Sequence, residues 1–261
     1  MKGKKVTVPG IIRKKGKERI VALTAYDFLS AGIVERAGTD VVLVGDSLAM
    51  VVLGHPNTLQ VTMEAMIHHL KAVRRGLTLP LLVADMPYGS YHVDRASTAR
   101  NALRLVQEGG AEAVKVEGAR RETIEAIREC EIPVMGHLGL TPQSVNRLGG
   151  YGRQGNTPED EERILGEAKL LESLGVFSIV LENVPAALAE RVTRELSVPT
   201  IGIGAGPKCD GQILVFHDLL GLTPEPPPFV KAYGEFGAQM EEALRRYGED
   251  VRMGVFPREE E

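Results

Sequence analysis

The sequence predicts a (β/α)8 barrel, a TIM barrel of eight parallel strands covered by helices. Short apolar runs alternate with longer amphipathic stretches along most of the chain, which is the pattern of repeated β–α units. The runs have no polar face, as is typical of parallel strands covered on both sides. At 261 residues the chain has the length of one such barrel. We therefore expect a single domain, with an extra segment at residues 1–19, the barrel at 20–247 and an acidic tail at 251–261.

The first six strands are predicted from apolar runs that end at turn residues or polar side chains. They are placed at Ile20–Thr24, Val41–Gly45, Leu81–Ala84, Ala113–Val116, Ile132–Gly136 and Phe177–Leu181. Helices are expected after each of them from capping residues and helical spacing. These helices are placed near Asp27–Ala37, Thr62–Arg75, Ser97–Glu108, Arg120–Glu129, Pro158–Leu174 and Ala186–Glu195. In the extra segment, Thr7 is expected to cap a short helix.

The end of the barrel admits two interpretations. After a seventh strand at Thr200–Ile203, strict alternation of strands and helices favours a helix at Gly211–Leu220. Strand eight then falls at Phe229–Tyr233 and the last helix at Phe236–Arg246. The alternative is a strand at Ile213–Phe216, which has the composition of one.

Five successive strands lead into polar side chains. These side chains are Asp46, Asp85, Glu117, His137 and Glu182. In a closed parallel barrel all these strand ends lie on one face, and the chemistry of such barrels takes place there. Four carboxylates on one face repel one another, and their ionised forms become stable when a divalent cation lies between them.

Asp46, Asp85 and Glu117 follow neighbouring strands and offer hard oxygen ligands. No thiol or histidine pair accompanies them, so they favour Mg²⁺ over Zn²⁺ or Cu²⁺. For any one of these acids, the alternative is a helix N-cap at a strand-to-helix turn. Lys115 lies two residues before Glu117, so both side chains are expected to point into the barrel mouth. There the lysine binds either a substrate oxyanion or, as an ordinary salt bridge, Glu117.

The remaining candidates lie around these three acids. Glu182 follows strand six, across the mouth, and is the predicted base. Ser47 is expected to donate its hydroxyl and backbone N–H to an anionic substrate, or to serve only as a turn residue. His137 is expected to bind a substrate oxygen or to move a proton, although a lone histidine is more often structural. The glycine-rich stretch 137–157 is either a binding loop or a disordered connection.

Charge and composition exclude several classes of protein. The formal net charge is −4, which argues against a nucleic acid or an anionic membrane as partner. The basic start, from Lys2 to Lys17, is therefore interpreted as a solvated arm. No apolar run approaches the length of a membrane span and the start has no signal-peptide pattern, so a cytoplasmic protein with small-molecule substrates is expected.

Several longer segments, in order along the chain, closely resemble the ketopantoate hydroxymethyltransferase (3-methyl-2-oxobutanoate hydroxymethyltransferase) family. The resemblance runs from about residue 7 to residue 246. The segments are Thr24-Ala25-Tyr26-Asp27, Val44-Gly45-Asp46-Ser47-Leu48, Ala84-Asp85-Met86-Pro87, Val114-Lys115-Val116-Glu117-Gly118, Gly136-His137-Leu138-Gly139-Leu140-Thr141-Pro142-Gln143-Ser144, and Gly202-Ile203-Gly204-Ala205-Gly206 with Asp210-Gly211-Gln212.

The resemblance implies a TIM barrel of the phosphoenolpyruvate/pyruvate type. It implies that Mg²⁺ and 5,10-methylenetetrahydrofolate are used to convert 3-methyl-2-oxobutanoate into ketopantoate (2-dehydropantoate), on the pathway to pantothenate and coenzyme A. It also implies large homo-oligomers, commonly decamers. Position by position, Asp46, Asp85 and Glu117 would hold Mg²⁺ and Glu182 would accept the proton. The keto acid would contact Ser47 and Lys115 together with the two aspartates.

Two departures and two alternatives accompany this resemblance. Asn183 stands where Cys or Gly is expected after the base, and Pro207-Lys208-Cys209 replaces a more polar stretch. The first alternative is another Mg²⁺-dependent barrel enzyme, such as an isocitrate-lyase-like C–C lyase. That group carries a Lys-Lys-Cys-Gly-His loop, which this sequence lacks. The second is a catalytically silent metal-binding scaffold, against which the full set of acids, lysine and base argues.

Overall fold

A computed structural model describes residues 3–258 of the chain. The chain divides into a compact unit that ends at Leu214 and a second that begins at Val215. The first unit is a closed barrel of eight strands in sequential order, and every neighbouring pair is parallel. The predicted (β/α)8 fold is confirmed.

The strands overlap the predicted ones up to the seventh. They are β1 Ile20–Thr24, β2 Val41–Val44, β3 Leu81–Asp85, β4 Ala113–Glu117, β5 Val134–Gly139, β6 Ser178–Glu182, β7 Thr200–Ile203 and β8 Gly211–Leu214. The helices of the first unit are α1 Val8–Arg13, α2 Phe28–Arg36, α3 Leu48–Val51, α4 Met63–Gly76, α5 Arg95–Gln107, α6 Arg121–Glu129, α7 Val145–Leu148, α8 Pro158–Ser173 and α9 Ala186–Glu195. The stretch 137–157 is thus partly regular, since it holds the end of β5, a 3₁₀ turn at Pro142–Ser144 and α7.

The extra N-terminal segment packs against the barrel and is not a solvated arm. Thr7 caps α1 as predicted, accepting a hydrogen bond from the N–H of Gly10. Ile11 of α1 is fully buried in the cluster that contains the first residues of several strands, so α1 lies against the amino end of the barrel. Three of its basic residues form ion pairs with the barrel: Lys5 with Glu112, Lys14 with Asp40 and Lys15 with Asp210. Lys2, the first residue of the predicted arm, lies outside the described residues.

The placement of strand eight at Phe229–Tyr233 is wrong. β8 is Gly211–Leu214, and it closes the barrel by pairing with β7 on one side and β1 on the other. No helix separates β7 from β8, so strict alternation fails at this one connection. Gly211 fits because a Cβ there would lie 2.5 Å from the carbonyl oxygen of Ile20 on the neighbouring strand.

The second unit contains two helices. Within the predicted helix Gly211–Leu220, only α10, Phe216–Leu219, is helical. The final helix, α11, runs from Phe236 to Met253 and ends at Gly254 in the left-handed conformation, so it extends into the predicted acidic tail. Residues 259–261 of that tail lie outside the described residues. Among residues 3–258, no helix combines the length and the apolar composition that crossing a membrane requires.

Candidate active site

The register of the barrel brings the predicted polar side chains together. Alternate residues of a strand point to the same face, and inward positions of β3, β4 and β5 run from apolar residues at the amino end to polar ones at the mouth. Asp85 is directly opposite Lys115 in the β3–β4 pair, and Glu117 is opposite His137 in the β4–β5 pair. Glu182 ends β6 opposite Gly139. Asp46 follows β2 and is also buried.

Lys115 forms an ion pair with Asp85, not with Glu117. Its Nζ lies 2.9 Å from Asp85 Oδ1, at ion-pair distance although not in hydrogen-bond alignment. The two residues are only 5% and 3% exposed. Burial on its own lowers the pKa of Lys115, but the charges of Asp85, Glu117 and Asp46 raise that pKa above its ordinary value. The lysine therefore stays a cation and supplies the positive charge of the barrel mouth.

His137 lies between this ammonium group and the predicted base. Its Nδ1 is 3.1 Å from Lys115 Nζ, and its Nε2 is 3.0 Å from Glu182 Oε2. Burial, followed by the charge of Lys115, lowers the pKa of His137 well below its usual value, so the ring is neutral. Because Lys115 can only donate, Nδ1 accepts its hydrogen bond and the ring proton sits on Nε2. That proton faces Glu182, at contact distance but outside hydrogen-bond alignment.

Three carboxylates of the mouth have raised pKa values. Burial, followed by the charge of Asp85, raises the pKa of Asp46 to about 7. Burial and the charge of Asp46 hold the pKa of Glu117 well above its ordinary value. Burial also raises the pKa of Glu182 to about 7, against the opposing effect of Lys115. Burial is the main cause of these shifts, and the repulsion expected from the sequence adds to it at Asp46 and Glu117. A pKa of about 7 suits the predicted role of Glu182 as a base at neutral pH.

Ser47 lies beside the acids at the start of a short helical turn. Its hydroxyl is 2.8 Å from the hydroxyl of Tyr26, and either oxygen can donate. Tyr26 is buried and precedes Asp27, which caps α2. The β1–α2 connection therefore fixes the position of Ser47, whose own contact with a substrate stays a prediction.

Gln143 and Tyr91 are site residues that the sequence reasoning did not single out. The side-chain Nε2 of Gln143 donates to Asp46 Oδ2 at 2.8 Å and to the carbonyl of Met86 at 3.0 Å. Its backbone N–H donates to Glu117 Oε2 at 3.0 Å, and its Oε1 accepts from the Tyr91 hydroxyl at 2.6 Å. One residue thus holds two of the predicted metal ligands. The only signal in the sequence for Gln143 was its place within the Gly136–Ser144 segment of the family resemblance.

Replacing Gln143 by Leu is expected to lower the free energy of unfolding by about 2–6 kcal/mol. The change leaves Asp46 Oδ2 and the Met86 carbonyl without this buried donor, and each such loss typically costs ~1–3 kcal/mol. The Tyr91 hydroxyl loses its acceptor but still accepts a hydrogen bond from the N–H of Glu117. Urea denaturation of the purified protein measures the effect. Gln107→Leu, at an exposed position at the end of α5, is the matched control and should change stability by less than ~0.5 kcal/mol. Equal midpoints for the two variants would contradict the bridging role.

The three acids offer carboxylate oxygens, which are the hard donors that Mg²⁺ prefers. Asp85 Oδ1 and Glu117 Oε1 are buried without a hydrogen-bond partner. Glu117 Oε1 is available to a cation at the mouth, whereas Asp85 Oδ1 would be shared between a metal ion and the ammonium group of Lys115. Within the described part of the chain, no three acid, histidine or cysteine side chains form a ready-made metal cage. Mg²⁺ usually takes only one or two carboxylates and keeps several waters. Oxygen donors of this type therefore fit the ion, with the other positions left to water or substrate.

Comparison with known protein families assigns almost the whole chain to one of them. The family description for ketopantoate hydroxymethyltransferase matches residues 5–259, nearly the whole chain. The chain belongs to the ketopantoate hydroxymethyltransferase family. The 3-methyl-2-oxobutanoate hydroxymethyltransferase of Ignicoccus hospitalis is 53% identical over 98% of this chain and 98% of its own. The enzyme of the same name from Thermus thermophilus is 54% identical over 97% of this chain and 98% of its own.

Solved structures support the barrel type. 2,3-Dimethylmalate lyase, described as a member of the phosphoenolpyruvate mutase/isocitrate lyase superfamily, aligns with a TM-score of 0.63 at 18% identity, covering 97% of this chain and 90% of that one. Phosphonopyruvate hydrolase aligns with a TM-score of 0.62 at 14% identity, over 95% and 87% of the two chains. At these identities the likeness concerns the fold alone. This member of the ketopantoate hydroxymethyltransferase family therefore shares the barrel fold of these proteins.

Proposed function

We propose that this chain transfers a hydroxymethyl group from 5,10-methylenetetrahydrofolate to 3-methyl-2-oxobutanoate, forming ketopantoate for pantothenate and coenzyme A synthesis. The observation that carries the proposal is the match to curated enzymes of that name at about half identity over almost the full length. The constellation of Lys115, His137, Glu182 and three acids at the barrel mouth supports it independently, because it contains a cation, a base and hard oxygen ligands within one buried site.

The keto acid would bind against the acids and the ammonium group. We propose that Asp46, Asp85 and Glu117 hold Mg²⁺, which when bound would act as a Lewis acid toward the keto-acid oxygens. Lys115 keeps a positive charge beside the same oxygens and disperses negative charge that develops there. Ser47 would hydrogen-bond the carboxylate of the substrate.

Glu182 would remove the proton from C3 of the keto acid. The C–H bonding electrons become the carbon nucleophile, and the proton moves to the Glu182 carboxylate. That carbon forms the new C–C bond with the one-carbon unit of the folate, and both C–N bonds of that unit break. A water molecule supplies the hydroxyl oxygen of ketopantoate. Tetrahydrofolate leaves, its two nitrogens taking up the proton from C3 and one proton of the water. The Nε2–H of His137 faces Glu182, so the histidine helps to position the base. The buried walls of the mouth limit the access of bulk water and so protect the nucleophile from premature protonation.

A turnover assay tests the proposed function. Purified protein with Mg²⁺, 3-methyl-2-oxobutanoate and 5,10-methylenetetrahydrofolate is expected to form ketopantoate, and omission of the folate should abolish product. Folate-independent cleavage of a hydroxylated dicarboxylate would favour the isocitrate-lyase-like alternative. Absence of any turnover by a protein that binds Mg²⁺ would favour the silent scaffold.

Substitution of Asp85 by Asn is expected to weaken Mg²⁺ binding at least tenfold. Loss of a residue that only supports a metal ligand already weakens binding by about tenfold or more, and loss of a direct ligand should cost at least as much. In the wild-type protein the backbone N–H of Asp46 donates to Asp85 Oδ2 at 3.0 Å. The amide of the substituted side chain keeps an oxygen for this hydrogen bond but lacks the negative charge. The shift of the melting temperature with added Mg²⁺, without substrates, measures the affinity. Glu190→Gln removes an exposed carboxylate and serves as control. Identical Mg²⁺ titrations for both variants would argue against ligation by Asp85.

The pKa of Glu182 sets the expected pH dependence. The base must be a carboxylate, and its pKa is about 7. The value of kcat/KM should therefore rise with pH and level off above about 7, falling about tenfold per pH unit below that value. Initial rates at saturating Mg²⁺ between pH 5 and 9 measure the profile. A flat profile down to pH 5 would show that no group with this pKa limits the reaction.

We further propose that the protein is a homo-oligomer, with the decamer of the family resemblance as the expected form. The exposed apolar side chains of α11 support this proposal. Met240, Leu244, Tyr247 and Val251 are each between 46% and 68% exposed and repeat at helical spacing, and such a stripe is typical of an interaction surface. We also propose a cytoplasmic location, because the proposed substrates are small and soluble molecules.

A further inference from the structure

Asn183, the residue directly after the predicted base, has an unusual backbone conformation. Its φ is 45°, in the left-handed region that residues other than glycine rarely adopt. Among the described residues, Glu131 is the only other non-glycine residue with a positive φ. The backbone N–H of Asn183 donates to the carbonyl of Ile203 at 2.8 Å, so the end of β7 holds the turn in this conformation. A left-handed residue beside a base is a candidate for a functional role.

The backbone of Glu182 itself is held from the other side of the turn. Its carbonyl accepts a hydrogen bond from the N–H of Leu140 at 2.8 Å. Gly139 permits this close approach, because a Cβ at that position would collide with the same carbonyl oxygen. Hydrogen bonds from the ends of β5 and β7 thus fix the main chain on both sides of the Glu182–Asn183 peptide bond.

Asn183 also ties residues 151–154, which we call the mouth loop, to the end of β6. Its side-chain Nδ2 donates to the carbonyl of Tyr151 at 3.2 Å, and its backbone carbonyl accepts the N–H of Gln154 at 3.0 Å. A Cβ at Gly149 or Gly150, just before the loop, would meet no atom within 4 Å, so the chain enters the loop without close packing around it. The two hydrogen bonds with Asn183 are therefore important for where the mouth loop lies.

The mouth loop lies beside the reacting groups. Gln154 and Glu117 line the same cavity next to the barrel mouth. Tyr151 is 42% exposed, and burial, followed by the charges of Asp46 and Glu182, raises the pKa of its phenol. The phenol is therefore uncharged and lies near both acids. The mouth loop thus forms part of the wall of the mouth on the side of the base.

We propose that Asn183 is a positioning residue that holds the mouth loop beside Glu182 and so shields the carbon nucleophile from bulk water. The inference rests on the proposed function and adds a residue to it. Once Glu182 has taken the proton from C3, a proton from water can replace it and return to C3, which regenerates the keto acid without product. A mouth loop that stays in place slows this return and favours formation of the C–C bond. Because the family resemblance expects Cys or Gly at this position, the side-chain amide should adjust the reaction and not be essential to it.

Asn183→Gly tests the inference, because glycine keeps the left-handed backbone but removes the donor to Tyr151. In deuterium oxide with Mg²⁺ and both substrates, NMR measures deuterium at C3 of the remaining keto acid and the ketopantoate formed in the same sample. The ratio of exchange to product should rise about 2- to 10-fold, the usual effect of losing one hydrogen bond. The KM for the keto acid should stay within about twofold of wild type, because Ser47 and Lys115 are unchanged. A folding defect would instead lower exchange and product together.

Amide hydrogen exchange of the substrate-free protein gives a readout that does not depend on turnover. The Gln154 amide should lose protection about 2- to 10-fold in Asn183→Gly. Asn183→Asp should give the same loss, since aspartate tolerates the left-handed conformation but presents only acceptors to the Tyr151 carbonyl. Glu131→Gly is the matched control, because it places glycine at the other left-handed position, which is exposed. Both readouts of this control should match wild type.

The results distinguish the role of Asn183 from the proposed function itself. If ketopantoate forms but neither readout changes in Asn183→Gly, the inference is overturned and the function stands. Loss of Gln154 protection with a wild-type ratio of exchange to product would make the side chain merely structural, which also overturns it. So would full protection of Gln154 in Asn183→Asp, because added backbone freedom would then explain the glycine variant. If the wild-type protein forms no ketopantoate, the proposed function fails and the shielding role fails with it.

Discussion

Glu182→Gln is expected to lower exchange of the C3 proton of 3-methyl-2-oxobutanoate with solvent by about 10²–10⁴-fold, the usual contribution of a positioned base. Gln has the same shape as Glu but no basic oxygen at neutral pH. Its amide oxygen can still face His137, whose Nε2 lies 3.0 Å from Glu182 Oε2. The packing of the mouth should therefore survive while proton removal is lost. NMR detection of deuterium incorporation, with Mg²⁺ and without folate, isolates this step.

Two controls make the Glu182 result specific. Mg²⁺ affinity of Glu182→Gln should stay within about twofold of wild type, because the proposed ligands lie on β2, β3 and β4. Glu195→Gln, on the exposed end of α9, should exchange at the wild-type rate. Exchange that persists in Glu182→Gln would remove this residue from the role of base and leave the raised pKa as a structural effect of burial.

The candidate site could be predicted because a strand places alternate residues on one face. Once the strands were located, the polar residues at their ends had to meet, and the register of β3 to β6 brings them together as expected. The ion-pair partner of Lys115 was less predictable. Sequence spacing pointed to Glu117 on the same strand, whereas cross-strand pairing places Asp85 directly opposite the lysine. Strand register is a tertiary property, and no local pattern in the sequence specifies it.

Gln143 and strand eight were missed for different physical reasons. Gln143 lies on a 3₁₀ turn after β5, where neither period two nor period 3.6 tells which way a side chain points. Strand eight was misplaced because the rule of alternation was preferred to composition. Ile213 alternates into the barrel core, so the strand-like composition of that segment was the better signal. No local residue preference in the sequence indicates that the helix between β7 and β8 is missing.

Replacing Lys115 by Met is expected to lower the free energy of unfolding of the metal-free protein by about 3–5 kcal/mol, the typical cost of removing one partner of a buried ion pair. The ammonium group is the only cation within 4 Å of Asp85 among the described residues. It also offsets Asp46, Glu117 and Glu182, since its charge lowers the pKa of each. Methionine fills similar space but leaves the acids uncompensated. Lys169→Met, which removes an exposed ion pair with Glu195, should cost at most ~1 kcal/mol.

A double-mutant cycle with Asp85→Asn shows whether the loss is electrostatic. In Lys115→Met/Asp85→Asn the carboxylate that pairs directly with the lysine is gone and the N–H of Asp46 keeps an acceptor. Asp46, Glu117 and Glu182 still lack the cation, so the double variant should recover most but not all of the lost stability, to within about 1–2 kcal/mol of wild type. Urea denaturation of the four proteins measures the coupling. Mg²⁺ should rescue the single Lys115→Met variant more than wild type, because a second cation would then replace the missing charge. Additive losses in the cycle would mean that Lys115 stabilises the mouth by packing its stem, and the charge balance proposed for the site would have to come from elsewhere.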